Sequence, residues 1–451
     1  MIKVMKFGGT SVGSVDAMER TASVILKEEA HKVVVVSAMS GVTNTLIACI
    51  QDGPPIDEFA TQLRDRHASC AKAIMPSDIY DEYCVALDES IDGLRKVLEA
   101  RRKVDCDPVL EDAISSWGER LSSITMANVL RAKGAEGIAL TSERSGIVAE
   151  GDPGNGSANL EATHHNLQRT VRPLLDKGLV PVLTGYYGCG PDGRPLTFGR
   201  GGSDYSGSVV ANGIDANCCE IWTDVNGFMT ADPRAVTGAK CIDEMDYNEA
   251  AELAYFGAKV LHPRTIEPVR RKSIPLMVKN TFNPEAKGTL IRAQKSNGGD
   301  ILRSVAVKCD LSIVKVYSSE LVYQPSLISR LVGSISDAAV NIYAVSTSLS
   351  TLAVLIPTPA VDKVIKSIDS LNEQQVEKLK VKGNVSLICC VGDNMINMPG
   401  VAAKVFATVA EMGANIEMIS EGASDVALNF VVPSDRALDV VRSIHGTFIG
   451  G

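Results

Sequence analysis

The sequence contains few aromatic residues and no long apolar run. Phe, Trp and Tyr make up 5% of its 451 residues, too few for an extended surface on which nucleic-acid bases stack. No apolar run approaches the roughly 20 residues that a membrane-spanning helix requires. Acidic residues outnumber basic ones, and the net charge is −9. These features argue against nucleic acid and against a membrane as partners.

Metal-binding and disulfide patterns are also missing. The chain has 11 Cys and 6 His, but no C-x-x-C pair and no histidine spacing typical of a metal site. The cysteines are scattered or adjacent, as in Cys218-Cys219, which is typical of small apolar side chains in a reducing compartment. The start, MIKVMKFGG, alternates charge with short apolar runs, unlike a signal peptide. We therefore expect a cytoplasmic protein without a protein-held metal.

Several catalytic motifs are absent as well. The chain has no G-x-x-x-x-G-K-[ST] loop and no H-R-D motif. Their absence excludes a P-loop nucleotide site and a protein-kinase catalytic loop. No Ser-His-Asp or Cys-His arrangement is suggested either, so the sequence favours chemistry without a protein nucleophile.

The first two thirds of the chain alternate between buried strands and helices. Continuous apolar runs predict strands at KVVVVSAMSG, LVPVLTGYYGC, CCEIWTDV and IPLMVKNTF. Helical periodicity lies between them, including one helix predicted over NEAAELAYFGAKVLHPRTIEPVRRK. This alternation is typical of a mainly parallel sheet sandwiched by helices. We predict an α/β domain over 1–293, followed by a polar, glycine-rich linker over 294–302.

An internal repeat follows the linker. Aligning Asn341 with Asn415 matches apolar positions throughout two segments. Each copy predicts a strand, a helix, a strand beginning at an Asn-Ile pair, a further strand and a helix. Two copies are too few for a solenoid, so we predict tandem α+β modules over 303–380 and 381–451.

The first candidate ligand-binding stretch is KFGGTS, which contains Lys6, Gly8, Gly9 and Thr10. Glycine N–H groups before a helix form a ready anion site, and Lys6 adds positive charge at the strand end. A tight strand-to-helix turn with a solvated lysine explains the same residues, and the motif alone leaves both open.

The glycine-rich loop TFGRGGSDYSG raises a different question, because it contains Arg200 and Asp204. A carboxylate is unexpected in a loop built only for phosphate. Other polar segments follow predicted strands or lie on helices, each with an ordinary alternative as a cap, a turn or a surface charge. They contain Ser37 and Thr43, Glu119, Asp224, Asp232 and Arg234, and Lys259.

Most of these segments fall at the predicted carboxyl ends of strands, which meet at one edge of a parallel sheet. The resulting crevice would combine cations, glycine N–H groups and carboxylates. Cations with glycine loops indicate a polyphosphate, and the carboxylates indicate an amine or a metal. Phosphoryl transfer fits, because it requires positioning and charge neutralisation more than a nucleophile.

Six motifs in order resemble aspartate kinase (aspartokinase) of the amino-acid kinase superfamily: KFGGTSV, VVVVSAMSGVTN, TFGRGGSDYS, WTDVNGFMTADPR, LAYFGAKVLHP and NTFNP. The tandem repeat is similar to the family's two ACT (ferredoxin-like) regulatory modules, so the resemblance spans nearly the whole chain. No dehydrogenase segment follows Gly451, and the monofunctional form is expected. The resemblance implies that the γ-phosphoryl of ATP is transferred to the side-chain carboxylate of L-aspartate, the first step toward lysine, threonine and methionine.

The resemblance also implies roles for individual residues. Lys6 would stabilise the transferring phosphoryl group and Asp204 would position Lys6. Arg200 would grip the substrate α-carboxylate, and Glu119 would receive its ammonium. Small hydroxyl residues near the reacting groups would be Ser37, Thr43 and Ser203. The nucleotide-binding positions would be Lys6, Gly8, Gly9, Thr10, Thr223, Asp224, Met229, Arg234 and Lys259, with Mg²⁺ held mainly by ATP phosphates.

Two departures from the family pattern affect the details. Met229 stands where some members have a tyrosine, so adenine packing there would be aliphatic. In the first module, Tyr343 and Leu349 stand where lysine-sensing members have carboxylates, and a bound lysine ammonium would be left unpaired. Gln324, Asn341, Ser346 and Ser348 are the expected effector residues, and threonine is favoured over lysine as the feedback inhibitor.

The family also pairs its modules between chains, which implies a homodimer or a dimer of dimers, and shares strands between modules, so 303–310 would belong to the second module. Two alternatives remain open. The first is another amino-acid kinase, acting on glutamate or acetylglutamate. The second is a catalytically inactive amino-acid sensor that keeps the kinase fold as a scaffold.

Overall fold

The structure, a computed structural model, describes residues 1–104, 106–257, 260–293, 301–393, 395, 398–422 and 424–450. Their contacts divide the chain into two compact units. The first comprises Met1–Phe228, Cys241–Ala251 and Lys259–Lys295, and the second comprises Met229–Lys240, Glu252–Ala258 and Ser296–Gly451. No described helix is long and apolar enough to cross a membrane. The predicted domain bounds remain predictions, and most of the predicted linker (294–300) lies outside the described residues.

An eight-stranded sheet forms the centre of the first unit, in the strand order β10-β12-β11-β9-β1-β2-β6-β3. Neighbours are parallel except for β11 and β12. The strands of the first unit are β1 Ile2–Phe7, β2 His31–Val36, β3 Gly137–Leu140, β4 Ala149–Glu150, β5 Ser157–Ala158, β6 Val180–Thr184, β7 Tyr187–Cys189, β8 Pro195–Thr197, β9 Cys218–Thr223, β10 Glu244–Met245, β11 Leu276–Asn280 and β12 Thr289–Ile291. Strands β4 and β5, and likewise β7 and β8, form separate two-stranded sheets. The mainly parallel α/β sheet predicted from the sequence is thus confirmed.

Helices surround this sheet. They are α1 Val15–Lys27, α2 Val42–Asp52, α3 Ile56–Ile74, α4 Ser77–Arg101, α5 Pro108–Ser115, α6 Trp117–Ala132, α7 Ser142–Ser145, α8 Leu160–Thr170, α9 Arg172–Asp176, α10 Gly202–Gly213, α11 Tyr247–Phe256 and α12 Ile266–Arg271. One large core joins α1, α3, α4 and α6 to the inner strands. The middle of β2, Val33–Val36, is fully buried, which explains its unbroken β-branched run.

The single helix predicted over residues 248–272 is wrong. The structure divides this segment into α11, which ends at Phe256, and α12, which begins at Ile266. Pro263 begins a short 3₁₀ turn before α12, and a proline cannot supply the N–H that a continuing helix needs. A side chain at Gly257 would also meet the Val307 carbonyl oxygen, since a Cβ there would lie 2.8 Å from it.

The second unit is built on a six-stranded antiparallel sheet in the order β14-β15-β13-β16-β18-β17. Its strands are β13 Ser304–Tyr317, β14 Ala344–Thr347, β15 Thr351–Pro357, β16 Lys378–Val391, β17 Met418–Ser420 and β18 Ala427–Pro433. Its helices are α13 Pro325–Asp337, α14 Val361–Ser370, α15 Val401–Glu411 and α16 Ser434–Phe448. The helix–strand–strand–helix order occurs twice, as the internal repeat predicts.

Two long strands belong to both halves of this sheet. Leu311–Tyr317 of β13 pairs with β15, whereas Ser304–Lys308 pairs only with β16, at Leu387–Val391. The predicted strands starting at the Asn-Ile pairs begin three residues later, at Ala344 and Met418. In the second copy, the Asn415 side-chain amide donates to the Glu417 carboxylate at 3.1 Å.

Candidate active site

The carboxyl ends of the parallel strands meet at one edge of the first unit's sheet. The Gly8 N–H donates to the Trp222 carbonyl at 3.1 Å, and the Ser37 N–H donates to the Phe7 carbonyl at 3.1 Å. The Gly185 N–H donates to the Val36 carbonyl at 3.0 Å. Hydrogen bonds between neighbouring strand ends therefore fix the loops that follow β1, β2 and β6.

Lys6 lies at the carboxyl end of β1 and forms an ion pair with Asp204 of α10. The lysine is 5% exposed, and an isolated buried ammonium would be costly, so the carboxylate stabilises it there. Gly207, one turn further along α10, makes the approach possible, because a Cβ at this position would lie 2.9 Å from the Lys6 Cβ. The structure thus joins two residues that are 198 positions apart in the sequence.

Glu119 lies in the first turn of α6 and is 2% exposed. Its Oε1 accepts a hydrogen bond from the Ser203 hydroxyl at 3.2 Å, and its Oε2 has no partner among the described residues. Burial raises the pKa of this carboxyl to about 7, opposed by hydrogen bonds from the Ala38 backbone and Ser203 and by the charge of Lys6. A buried carboxylate with an unused oxygen is a suitable acceptor for a ligand ammonium.

The glycine turn after β1 closely approaches the loop after β2. A Cβ at Gly9 would lie 2.7 Å from the Ala38 carbonyl oxygen, so only glycine fits. Residues Gly9–Ser11 form a short 3₁₀ turn, in which Thr10 is exposed. Gly8 and Gly9 are partly exposed. The predicted phosphate contacts of this turn remain a prediction.

The loop Thr197–Gly201, here called the substrate loop, presents Arg200 on its surface. Arg200 is exposed and forms no ion pair within the part of the chain that the structure describes. Gly199 and Gly201 have φ values of 69° and 74°, a left-handed conformation that favours glycine. A Cβ at Gly201 would lie 2.3 Å from the His262 Cβ. The predicted substrate arginine therefore sits on a loop with a closely determined backbone.

The remaining predicted residues are spread over several places. Ser37 and Thr43 are partly buried beside the strand edge, and Thr223 ends β9 with its hydroxyl donating to Asp224 at 3.2 Å. Met229 and Arg234 belong to the second unit, where Arg234 pairs with Asp232 at 2.6 Å. Lys259 lies outside the described residues. No group of three or more His, Cys, Asp or Glu among the described residues could hold a metal ion.

Two of the four predicted effector residues line one cavity in the second unit. Ser346 and Ser348 border a volume of about 280 Å³. The other residues lining it are Ile313, Lys315, Tyr317, Thr347, Thr351, Ala353, Glu417, Met418 and Ile419. Gln324 precedes α13 without a capping hydrogen bond, and its side-chain amide donates to Glu320 at 3.2 Å. Asn341 is exposed before β14. Neither of these two lines the cavity.

Sequence reasoning missed two residues that contact the substrate loop. Asp112 of α5 accepts hydrogen bonds from Thr197, and Arg264 donates to the carbonyl of Phe198. Asp112 had no motif that could reveal it. Arg264 belongs to the run NEAAELAYFGAKVLHPRTIEPVRRK, where its position directly after His-Pro was the available signal.

Comparisons with known proteins agree with this architecture. The model of the amino acid kinase family matches residues 1–280, and an ACT domain model matches 388–448. Lysine-sensitive aspartokinase 3 of Escherichia coli K12 is 30% identical, with 98% of each chain covered. The crystal structure of E. coli aspartokinase III with aspartate and ADP (R-state) aligns with a TM-score of 0.85 at 29% identity. Its complex with lysine and aspartate (T-state) aligns with 0.83 at 28%, and each alignment covers 99% of both chains.

The family model matches residues 1–280, which is more than half of the chain. The chain therefore belongs to the amino acid kinase family. The full-length similarity makes the assignment narrower. This chain is an aspartokinase, a kinase whose phosphoryl acceptor is a carboxylate.

Proposed function

We propose that this enzyme transfers the γ-phosphoryl group of ATP to the side-chain carboxylate of L-aspartate. The product, 4-phospho-L-aspartate, opens the route to lysine, threonine and methionine. The observation that carries the proposal is the pairing of Lys6 with Asp204 beside the buried Glu119–Ser203 pair at one sheet edge. The E. coli aspartokinase III structure, which contains aspartate and ADP, supports this reading.

In this proposal, Lys6 neutralises charge on the phosphoryl group as it moves between the two substrates. Asp204 holds the ammonium in place before substrate binds, so little reorganisation is needed during the reaction. The N–H groups of Gly9 and Thr10 face the phosphates, beside Gly8, whose own N–H donates to the Trp222 carbonyl. Mg²⁺ is bound mainly by ATP oxygens and supplies further charge neutralisation.

The amino-acid substrate is held at both of its charged α-groups. Glu119 accepts hydrogen bonds from the ammonium through its unused Oε2, and Arg200 binds the α-carboxylate with its planar guanidinium. Ser37, Thr43 and Ser203 supply hydroxyls near the reacting carboxylate. The side-chain carboxylate of the substrate is thereby directed toward Lys6. Ser203 and Asp204, the partner of Lys6, are neighbours in the first turn of α10.

The nucleotide contacts are proposed from the family pattern. Thr223 ends β9 and Asp224 follows it, and β9 lies next to the strand that carries Lys6. Met229, Arg234 and Lys259 complete the proposed set, with aliphatic packing of adenine at Met229. We also propose the domain bounds 1–293, 303–380 and 381–451, and a cytoplasmic location.

The substrate is tested by the amino-acid dependence of ADP release from Mg-ATP. Aspartate is expected to stimulate release, whereas glutamate and acetylglutamate are expected to leave it at background. Stimulation by glutamate or acetylglutamate alone would contradict the proposal, as would background release with every amino acid, which is expected of an inactive sensor.

For regulation, we propose an amino-acid feedback inhibitor bound by the second unit, with threonine favoured over lysine. The Lys308 ammonium lies 4.1 Å from the Tyr343 ring centroid. Tyr343 therefore already contacts a cation, and it offers no carboxylate to the ammonium of a bound lysine. The cavity at Ser346 and Ser348 offers hydroxyls, the Lys315 ammonium and the Glu417 carboxylate, which also pairs with Lys382. These groups match the hydroxyl and the two charges of threonine.

Inhibition assays at fixed aspartate distinguish the two effectors. Threonine is expected to inhibit, and Ser346→Ala with Ser348→Ala is expected to weaken that inhibition without changing activity in its absence. Inhibition by lysine at low millimolar concentration or below, with threonine inert, would overturn the assignment.

We further propose a homodimer, or a dimer of dimers, formed through the second unit. Four large apolar side chains near β14 and before α13 are exposed: Val322, Tyr323, Val345 and Leu349. Their exposure supports a protein partner for this surface. Sedimentation is expected to give at least twice the chain mass, and Tyr323→Glu with Leu349→Glu is expected to reduce it to the monomer.

A further inference from the structure

Asp112 links the substrate loop to a second segment of the first unit. Its Oδ2 accepts hydrogen bonds from the Thr197 N–H at 2.8 Å and from the Gly154 N–H at 2.9 Å. Its Oδ1 accepts the Thr197 hydroxyl at 2.7 Å. The side chain is 5% exposed. All three donors come from these two loops, although Asp112 belongs to helix α5.

Arg264 holds the same two segments by different atoms. Its Nη1 donates to the Phe198 carbonyl at 3.0 Å and to Asn155 Oδ1 at 3.2 Å. Its Nη2 donates to the Gly156 carbonyl at 2.6 Å and to the Ser157 hydroxyl at 2.9 Å. The guanidinium thus uses two nitrogens on four acceptors, a fork that lysine cannot reproduce.

The second segment, residues 154–157, is here called the brace. It packs directly against the substrate loop: the Gly156 N–H donates to the Thr197 carbonyl at 2.8 Å. A Cβ at Gly199 would lie 2.6 Å from the Gly154 carbonyl oxygen. Brace and loop are therefore joined directly, and both Asp112 and Arg264 bond to each of them.

We propose that Asp112 and Arg264 are positioning residues for aspartate, which fix the backbone that presents Arg200 to the substrate α-carboxylate. This inference rests on the proposed function, in which Arg200 binds that carboxylate. Neither residue needs to touch substrate. Arg200 forms no ion pair among the described residues. The position of its guanidinium before substrate binds is therefore determined by the loop backbone and not by a neighbouring charged side chain.

The consequence is a selective loss of aspartate affinity. When the loop is free to adopt several conformations, binding must order it at the expense of affinity. The α-carboxylate does not change during phosphoryl transfer, so kcat is affected little. The proposed ATP contacts lie on other loops, so the KM for ATP is expected to stay the same.

The test compares steady-state kinetics of Asp112→Ala and Asp112→Asn with the wild type. Asparagine can accept both backbone N–H groups through its oxygen and donate to the Thr197 hydroxyl, so it preserves the contacts. Asp112→Ala is expected to raise the KM for aspartate about tenfold or more, with kcat within about threefold. Asp112→Asn is expected to restore the KM. An unchanged KM in Asp112→Ala, or no rescue by asparagine, would overturn the proposal.

Asp107→Ala is the matched control. Asp107 caps the same helix, α5, by accepting the N–H groups of Val109 and Leu110, but it does not contact the loop. It is expected to lower the melting temperature and leave the KM for aspartate unchanged. An equal KM rise in this control would assign the effect to helix stability and contradict the proposal. If Asp112→Ala cannot be purified, Arg264→Lys, expected to raise the same KM, decides the question.

Arg200→Ala separates failure of this inference from failure of the proposed function. If Arg200→Ala leaves the KM for aspartate unchanged, the role of Arg200 is wrong and the positioning inference falls with it. If Arg200→Ala raises the KM, Asp112→Ala should add little in that background, because both changes remove one interaction. Fully additive effects in the double variant would overturn only the positioning inference.

Discussion

At the scale of single residues, Lys6 owes its position to two features of α10. The helix supplies the Asp204 carboxylate and, at Gly207, leaves the space through which the lysine stem passes. The ammonium is therefore held at the strand end before any phosphate arrives. A preorganised cation of this kind stabilises a transition state without a cost for reorganisation.

Replacing Lys6 by alanine is expected to lower kcat by about 10²–10³-fold, the effect of losing one preorganised donor. Lys3→Ala is the matched control, because Lys3 lies on the same strand and pairs with Glu28 and Glu220 away from the site. Steady-state kinetics with aspartate and Mg-ATP measure both. A Lys6→Ala enzyme with most of its activity would remove Lys6 from the mechanism.

Glu119 predicts a specific pH dependence. Its pKa is raised to about 7 by burial, and only the ionised form attracts the substrate ammonium. We expect kcat/KM for aspartate to fall as pH decreases from about 8 to about 6, since kcat/KM reports groups of the free enzyme. Glu119→Gln is expected to lose this dependence and to have a lower kcat/KM at pH 8. A flat wild-type profile over this range would contradict the role.

The same raised pKa affects stability. Because the folded-state pKa lies above the ordinary value of 4.5, the contribution of Glu119 to stability is fully present below about pH 4.5 and is lost as pH rises through about 7. Glu119→Gln is therefore expected to melt at a higher temperature than the wild type at about pH 8, and at a similar temperature at about pH 5. Thermal unfolding at both pH values measures the difference.

Motifs in the sequence indicated Lys6 and Asp204, because each lies in a recognisable run, whereas the role of Glu119 came only from the family resemblance. They did not indicate Asp112, whose hydrogen-bond donors lie 42 and 85 residues away. A buried aspartate on a helix has no local signature, since its role depends on which loops the sheet order brings above it. Residues that act through backbone contacts are generally hidden in this way.

At the scale of elements, the substrate loop depends on a glycine that a local propensity scale cannot explain. Gly201→Ala would place a Cβ about 2.3 Å from His262 at a φ of 74°, so the loop must shift. The KM for aspartate is expected to rise about tenfold or more, as expected when a binding group is misplaced. Kinetics with both substrates measure the change.

Gly178→Ala is the control for backbone strain alone. Gly178 has a φ of 77° and no atom within 4 Å of the position that a Cβ would take. Its substitution is expected to cost about 1 kcal/mol of stability and to leave both KM values unchanged. An equal rise of the KM for aspartate in Gly178→Ala and Gly201→Ala would assign the effect to backbone strain and not to the contact between residue 201 and His262.

Strands were easier to predict than helix boundaries. The β-branched run of β2 predicts a strand from the sequence alone, because a strand covered on both faces of the sheet is apolar at every position. The separation of α11 from α12 was missed, although Pro263 was visible, because apolar residues keep helical spacing across the break. Close packing at Gly257 is a tertiary contact, which periodicity does not record.

At the scale of the whole molecule, the sequence predicted an α/β unit followed by two α+β copies. It could not predict that residues 229–240 and 252–258 belong with the second unit, because such a division depends on contacts distant in sequence. Spacing along the sequence does not give the strand order either. Strand β1 lies between β2 and β9, although β9 begins more than 180 residues after the end of β2.

The central claim is that the site phosphorylates the side-chain carboxylate of aspartate. The most direct measurement is mass spectrometry of the product trapped by hydroxylamine after incubation with Mg-ATP and either aspartate or glutamate. The expected product is the 4-hydroxamate of aspartate, absent without enzyme and strongly reduced with Lys6→Ala. Formation of the α-hydroxamate, or of a hydroxamate from glutamate and not from aspartate, would contradict this claim.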